Sequence, residues 1–152
     1  MAGKNRAHAG FGVGQSMGMT GKVIRRRMDR NLAEAGFNLN TPQVVLLKHI
    51  DLEEGVSQQT LTDHLFLDKT TMTRYIDILE ERGLVKRVPD KADRRQKMIF
   101  LTDRGKRLLE PLARSERKTE RETIRGIDKG DLETFRRVLR QIRANLDSPD
   151  EI

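Results

Sequence analysis

Residues 68–101 read DKTTMTRYIDILEERGLVKRVPDKADRRQKMIFL, and this stretch determines the fold class. Its first half predicts a helix over 68–82, because Asp68 is a favourable N-cap, apolar residues recur every three or four positions and Gly83 ends the pattern. Its second half predicts a β-hairpin over 84–101, because two short runs of strand-forming residues flank a polar loop that begins with proline. A helix followed by such a hairpin, or wing, is typical of a winged helix.

A second predicted helix lies directly upstream of this stretch. Ser57 is a favourable N-cap, apolar residues lie on one face of the segment that follows, and Phe66-Leu67 forms a short link to Asp68. Two short helices joined by a link of this length have the proportions of a helix-turn-helix motif. The sequence therefore predicts a winged helix-turn-helix domain over 37–102, in a chain that is mainly α-helical with a small β-hairpin wing.

Helices are also predicted N-terminal to this domain and at its start. Glycine disfavours helix and half of the twelve glycines lie near the beginning of the chain, so we expect a flexible N-terminus over 1–12. Apolar residues then recur at helical spacing over 13–36, which also contains a run of arginines at 25–27. Thr41 is expected to cap the next helix, with Pro42 at its first position.

The C-terminal part, 103–148, is predicted to be helical, and Thr102 is expected to cap its first helix. Residues 114–123 contain no apolar side chain, so this part is expected to be a solvent-spanning or frayed helix. The last helix carries apolar residues at spacings of three and four, which is typical of a helix that packs along another helix. A monomer would leave this seam exposed, so we expect a homodimer. The predicted dimerisation residues are Leu132, Phe135, Leu139, Ile142 and Leu146.

The charge distribution favours a polyanionic partner. The formal net charge is +7, and residues 82–97 carry seven Lys or Arg against two acids, whereas residues 41–81 carry three against eight. The chain has no cysteine, which excludes disulfides, thiolate metal sites and thiol-based sensing. No apolar run is long enough to span a membrane and no secretory signal is evident, so we expect a cytoplasmic protein without a cofactor or metal.

The helix over 68–82 and the tip of the hairpin are the predicted contacts with double-stranded DNA. A major groove admits one α-helix, whose hydroxyl and cationic side chains reach bases and phosphates. An arginine at the hairpin tip would enter a narrow minor groove, and Asp93 would orient a neighbouring arginine. A solvated helix face and a mobile charged turn are the alternatives for these two elements. The predicted DNA-binding residues are Ser57, Gln58, Lys69, Thr70, Thr71, Thr73, Arg74, Asp93, Arg94 and Arg95.

Several segments of the chain resemble the MarR family of bacterial transcription regulators. They are LNTPQ at 39–43, LDKTTMTR at 67–74, DILEERGLV at 77–85, DKADRR at 90–95 and LTDRG at 101–105. The resemblance implies that Arg95 is the minor-groove arginine and that Asp93 supports it. It also implies a repressor that acts by occupying its site, and a dimer made by terminal helices within 13–36 and 103–148. A two-fold dimer predicts a pseudo-palindromic operator.

The resemblance further implies a small-molecule effector, although no short motif marks its pocket. We expect the pocket on the inner face of the first, second and fifth helices, where the arginines at 25–27 or His49 would meet an anion such as an aromatic acid. Solvent or phosphate contact is the alternative for these arginines. A winged helix used for protein or RNA interaction is the alternative function. An enzyme is disfavoured, because no nucleophile or phosphate-loop motif is present and His8, His49 and His64 are scattered.

Overall fold

The computed structural model describes residues 12–53, 55–93 and 96–146. By its internal contacts the chain divides into two units, Met1–Thr119 and Glu120–Ile152. In the described part of the chain, no helix combines the length and apolarity that a membrane crossing requires.

Some of the sequence predictions concern residues outside these described ranges. They are the flexible N-terminus up to residue 11, the hairpin-tip residues Arg94 and Arg95, and the end of the predicted C-terminal helical region at 147–148. The roles assigned to the two arginines therefore stay predictions.

Helix α1 (Val13–Glu34) is followed by Gly36, whose φ of 84° is a conformation that glycine adopts at little cost. Only its second half packs into the protein, through the buried apolar residues Met28 and Leu32. Up to residue 26 the described part of α1 is exposed, apart from the half-buried Ser16.

Helix α2 (Thr41–Asp51) is capped by Asn40, so the prediction that Thr41 is the cap was wrong. The Asn40 side chain accepts a hydrogen bond from the Gln43 amide at 3.0 Å, and the Gln43 side chain accepts one from the Asn40 amide at 3.1 Å. Thr41 instead donates its N–H and its hydroxyl to the Asp29 carboxylate of α1, both at 2.7 Å. Asn and Thr are both favourable caps, and the contact with Asp29 places Thr41 inside the helix.

Helices α3 (Gln58–Leu65) and α4 (Lys69–Glu81) form the helix-turn-helix. The two predicted caps are confirmed, because Ser57 Oγ accepts a hydrogen bond from Thr60 N at 3.0 Å and Asp68 Oδ1 accepts one from Thr71 N at 2.9 Å. The predicted buried face of α4 is also confirmed. It consists of Met72, Ile76 and Leu79, each with 0% exposure.

A three-stranded antiparallel sheet completes the winged helix within the described residues. Strands β2 (Val85–Pro89) and β3 (Lys97–Leu101) form the predicted hairpin, with Val85 opposite Leu101. The sheet has the order β1-β3-β2, and β1 (Val56–Ser57) was not predicted. Two residues are too few to show an alternating pattern, so only their pairing with β3 identifies them as a strand.

The apolar core lies in the first unit, between the helices and the inner face of the sheet. Because α4 contributes three side chains to this core, its orientation is fixed by packing and its opposite face is presented to solvent. Fully buried core residues include Leu32, Val44, Leu47, Ile50, Leu61, Met72, Ile76, Leu79, Ile99 and Leu112.

Helix α5 (Asp103–Thr123) begins after Thr102, whose hydroxyl accepts a hydrogen bond from Gly105 N at 3.1 Å as a cap does. The prediction that residues 114–123 are solvent-spanning or frayed was wrong, because Ser115 and Thr119 are each only 5% exposed. Asn31 Nδ2 of α1 donates to Thr119 Oγ1 at 2.8 Å. The Thr119 hydroxyl in turn donates to the Ser115 carbonyl at 3.0 Å, so this buried polar side chain has hydrogen-bond partners within the protein.

Helix α6 (Lys129–Leu146) belongs to the second unit and contains no buried residue. The five residues of its predicted seam are all at least partly exposed. Phe135 is 55% exposed and Leu146 is 79% exposed, while Leu132, Leu139 and Ile142 are half-buried.

Candidate nucleic-acid interface

Asp68 organises the start of α4, the helix predicted to enter the major groove. Its Oδ2 accepts a hydrogen bond from the Thr71 hydroxyl at 2.6 Å, while Oδ1 accepts from the Thr71 amide. These two hydrogen bonds hold the pKa of Asp68 below its ordinary value, so the carboxylate is charged at neutral pH. Thr71 was predicted to contact DNA, and in the free protein its hydroxyl proton is donated to this cap.

The outer face of α4 presents two cations to solvent. Lys69 and Arg74 are exposed, and neither is paired with a carboxylate in the described part of the chain. Thr70 is exposed beside them. The Arg74 guanidinium lies 6.0 Å from the centre of the Tyr75 ring, at the outer limit of a cation–π contact. Both charges are therefore available to an anionic partner.

Gln58 and Thr73, two further predicted DNA contacts, are bonded to each other in the free protein. Gln58 Nε2 donates to Thr73 Oγ1 at 2.6 Å, and the Thr73 hydroxyl donates to the Lys69 carbonyl at 2.9 Å. This chain of hydrogen bonds ties the start of α3 to the first turn of α4. The hydroxyl of Thr73 accordingly has no proton left for a base or a phosphate.

A polar cleft of about 590 Å³ lies between the start of α3, the start of α4 and the base of the wing. The pairing of Ser57 with Met98 in the sheet places Lys97 close to the first turn of α3. Lys69 enters the cleft from α4, so two ammonium groups meet hydroxyl and amide groups there. Sequence reasoning missed this cleft because it depends on β1. The lining residues are Ser57, Gln58, Gln59, Thr60, Thr62, Lys69, Gln96 and Lys97.

The base of the wing loop is closed by backbone hydrogen bonds. Asp90 N donates to Gln96 O at 2.9 Å, and Gln96 N donates to Asp93 O at 2.9 Å. Asp90 Oδ1 also accepts a hydrogen bond from Ala92 N at 2.6 Å. These hydrogen bonds fix the backbone of Asp93, while the role predicted for its carboxylate concerns residues outside the described ranges.

A second cavity, of about 350 Å³, lies between the α1–α2 connection, the end of α4 and the first turns of α5. Its walls combine apolar side chains with the guanidinium groups of Arg82 and Arg104, and Arg82 also donates to the Asn38 carbonyl. The apolar lining side chains are Phe37, Leu39, Leu84 and Leu108.

The residues that the sequence assigned to an effector do not line this second cavity. Arg25 and Arg26 are exposed on α1. His49 Nδ1 lies 2.9 Å from the Val45 carbonyl of its own helix, which is an ordinary structural contact.

Comparisons with known proteins agree with this geometry. A profile of the MarR family matches residues 39–97, which contain α2, the helix-turn-helix and most of the wing. The chain is 27% identical over 127 residues to an uncharacterized HTH-type transcriptional regulator, YybA of Bacillus subtilis (strain 168), and the match covers 82% of this chain and 85% of YybA. Residues 39–97 are a MarR-family domain.

Two further matches are to a transcriptional regulator and to a solved structure. The chain is 42% identical over 74 residues to the HTH-type transcriptional regulator TtmR of Methylorubrum extorquens (strain PA1), covering 49% of this chain and 38% of TtmR. The solved structure of Bordetella bronchiseptica BpsR, whose DNA binding is regulated by 6-hydroxynicotinic acid, matches with a TM-score of 0.80 at 20% identity, over 93% of this chain and 97% of that chain. The latter likeness shows the fold. With its MarR-family domain and its relatives among HTH-type transcriptional regulators, the chain is a DNA-binding transcriptional regulator and not an enzyme.

Proposed function

We propose that this MarR-family regulator represses transcription as a homodimer bound to a pseudo-palindromic operator. The observation that carries the proposal is the outer face of α4, where Lys69 and Arg74 are exposed and unpaired among the described residues. The first turn of a recognition helix is the part that reaches base edges and phosphates in a major groove. Since chromosomal DNA is the target, the proposed site of action is the cytoplasm.

The three parts of the interface have different proposed tasks. Arg74 contacts bases or the adjoining phosphates, and Lys69 contacts a phosphate at the helix start. The polar cleft beside Lys97 receives the sugar-phosphate strand, because every residue that lines it is polar or positively charged. Arg95 enters the minor groove and Asp93 orients it.

The proposed homodimer rests on two apolar helix surfaces that the chain itself leaves exposed. The first half of α1 contains Gly14, Gly18 and Gly21 and buries no residue, so on its own it would be a marginal helix. In α6 the apolar seam at spacings of three and four is likewise not buried. A second copy of the chain that covers these surfaces would stabilise both helices.

The proposed small-molecule control is placed at the cavity beside Arg82 and Arg104. Apolar walls with two guanidinium groups suit a carboxylate that has an apolar body, and an occupant would touch the end of α4 directly. Benzoate is a suitable probe. We expect it to raise the melting temperature of the wild-type protein and not that of Arg104→Gln, and equal shifts in both proteins would contradict this placement.

The DNA-binding proposal is tested by fluorescence anisotropy with a duplex selected from a genomic library, a random duplex and single-stranded RNA. We expect the selected duplex to bind most tightly. Lys69→Ala should weaken binding to both duplexes alike and reduce the salt slope by about one unit, whereas Arg74→Ala should cost about 1–3 kcal/mol and relax specificity. Lys129→Ala, which removes one exposed charge from α6, is the matched control and should change neither quantity.

The alternative function, contact with protein or RNA, makes the opposite prediction in the same titration. A chain that binds the RNA as tightly as the selected duplex, or that fails to distinguish the selected duplex from the random one, would support that alternative and contradict operator recognition.

A further inference from the structure

Arg87 of β2 connects the wing to the recognition helix α4 through two carboxylates. Its Nη2 donates to Asp77 Oδ1 at 2.5 Å, and its Nη1 donates to Glu80 Oε2. The backbone N–H of Arg87 also donates to Glu80 Oε1, at 3.2 Å. We call these three residues the clamp.

The clamp is more than a surface ion pair. The Arg87 side chain is only 17% exposed, whereas those of Asp77 and Glu80 are 50% and 40% exposed. Burial lowers the pKa of Arg87, and the hydrogen bonds from its guanidinium to Asp77 and Glu80 outweigh that effect, so the net shift is upward. The guanidinium thus stays charged in a largely buried position, where hydrogen bonds to two separate carboxylates fix its orientation.

The clamp also uses one of the positive charges that the sequence concentrates in residues 82–97. Arg87 belongs to the basic stretch 82–97, yet its charge is used inside the protein and is not available to DNA. The same contacts offset one of the two negative charges that Asp77 and Glu80 place on α4. These carboxylates would otherwise repel phosphates next to the recognition face.

We propose that Arg87 is a positioning residue for DNA binding, which holds the wing at a fixed orientation to α4 so that both elements meet the operator as one rigid body. The proposal rests on the proposed function. A wing that moves independently of α4 must be ordered when DNA binds, and that ordering lowers affinity even though no DNA contact is lost. The effect should be largest on the operator, where both elements have to fit at once.

The first test compares Arg87→Met with Lys86→Met, a substitution that removes the same positive charge from the neighbouring residue. Lys86 is exposed on the same strand and has no ion pair among the described residues, so Lys86→Met removes one positive charge without touching the clamp. We expect Arg87→Met to weaken operator binding at least about tenfold, and Lys86→Met by much less. Thermal unfolding of both variants checks that they are folded.

Asp77→Asn tests the proposal by removing a negative charge, whereas Arg87→Met removes a positive one. The variant keeps Arg87 and its hydrogen bond to Glu80. Removing an acid should tighten DNA binding if charge alone matters, whereas loss of the clamp should weaken operator binding about threefold or more. In the Arg87→Met background, where Asp77 has lost its partner, Asp77→Asn should instead tighten binding. This change of sign between the two backgrounds is a signature that a general loss of stability does not produce.

The possible outcomes distinguish failure of the clamp proposal from failure of the proposed function on which it rests. If the wild-type protein prefers the operator and Asp77→Asn tightens binding in both backgrounds, the clamp proposal is overturned and the proposed function stands. If the wild-type protein does not distinguish the operator from random duplex, the proposed function fails and the clamp proposal fails with it.

Discussion

At the scale of single residues, Phe66 has a conformation that aromatic residues rarely adopt. It ends α3 with φ 50° and ψ 38°, in the left-handed region, and its side chain is 94% exposed. Among the described residues, the positive φ values belong to glycines and to Phe66. The left-handed conformation is unfavourable by roughly 1–2 kcal/mol for a residue with a Cβ atom, and this exposed ring has little burial to offset it.

We therefore predict that Phe66→Gly stabilises the protein relative to Phe66→Ala. Both variants remove the ring, but only glycine removes the Cβ atom that makes the left-handed conformation unfavourable. The expected difference in the free energy of unfolding is about 1 kcal/mol, measured by urea denaturation. Equal stabilities of the two variants would show that the backbone strain is absent.

The cap residue Asp68 predicts a pH dependence of stability. Its folded pKa is lowered by the Thr71 hydrogen bonds, so its stabilising effect is complete above the unfolded pKa, about pH 4, and is lost as the pH falls through the folded pKa. Asp68→Asn keeps a hydrogen-bond acceptor and has no charge to titrate. The difference in melting temperature between wild type and this variant should shrink on acidification, and a difference that is independent of pH would contradict the assignment.

At the scale of elements, Gly105 allows the start of α5 to approach the wing closely. A Cβ atom at this position would lie 2.2 Å from the Leu84 carbonyl oxygen and 3.1 Å from its carbon. That carbonyl already accepts a hydrogen bond from Thr102 N at 3.0 Å, so it cannot move away freely. The contact is between two backbones, and a change of rotamer cannot relieve it.

Gly105→Ala is accordingly predicted to be strongly destabilising. We expect a loss of about 3 kcal/mol in the free energy of unfolding, which corresponds to a fall in melting temperature of roughly 10 °C. Lys106→Ala introduces the same residue at the next, exposed position of α5 and should change the melting temperature little. Similar melting temperatures for the two variants would mean that α5 can shift away from Leu84.

Most elements could be predicted from the sequence because their signals are local. The caps Ser57 and Asp68 and the buried face of α4 follow from hydrogen bonds and spacings within one or two helical turns. Strand β1 and the burial of Thr119 could not be predicted in this way. Each depends on a partner that is distant in the chain, β3 for the strand and α1 for the helix face.

At the scale of the whole molecule, the proposed dimer makes α6 sensitive to charge on one face only. Leu139 lies in the apolar seam, and a carboxylate buried there would cost several kcal/mol. We predict that Leu139→Glu raises the dimer dissociation constant at least about 100-fold and weakens operator binding. Sedimentation across a concentration series measures the first effect.

Gln141→Glu is the matched control for this prediction. It adds the same charge to the same helix at an exposed position outside the seam, where Gln141 contacts Asn145 at 2.7 Å. This variant should remain dimeric. If Leu139→Glu also sediments as a dimer, the seam on α6 is not the subunit contact.

The sequence by itself determined the winged-helix class, the MarR-family match over 39–97 and the bounds and exposed face of the helix that is proposed to recognise DNA, because these depend on residues close together in the chain. Lys69, Thr70 and Arg74 lie on the exposed face that helical spacing predicted, opposite Met72 and Ile76. Helical geometry alone decides which of these residues share a face.

Only the tertiary structure decided how the polar and charged residues are used. In the folded chain Thr73 is hydrogen-bonded to Gln58, Arg87 is paired with the two carboxylates of α4, and Lys97 lines the cleft beside α3. Each of these contacts joins different elements, and a charge or hydroxyl in a sequence is equally compatible with a DNA contact and an internal one. The packing that brings the elements together selects between the two, because a polar group withdrawn from water needs a partner within the protein.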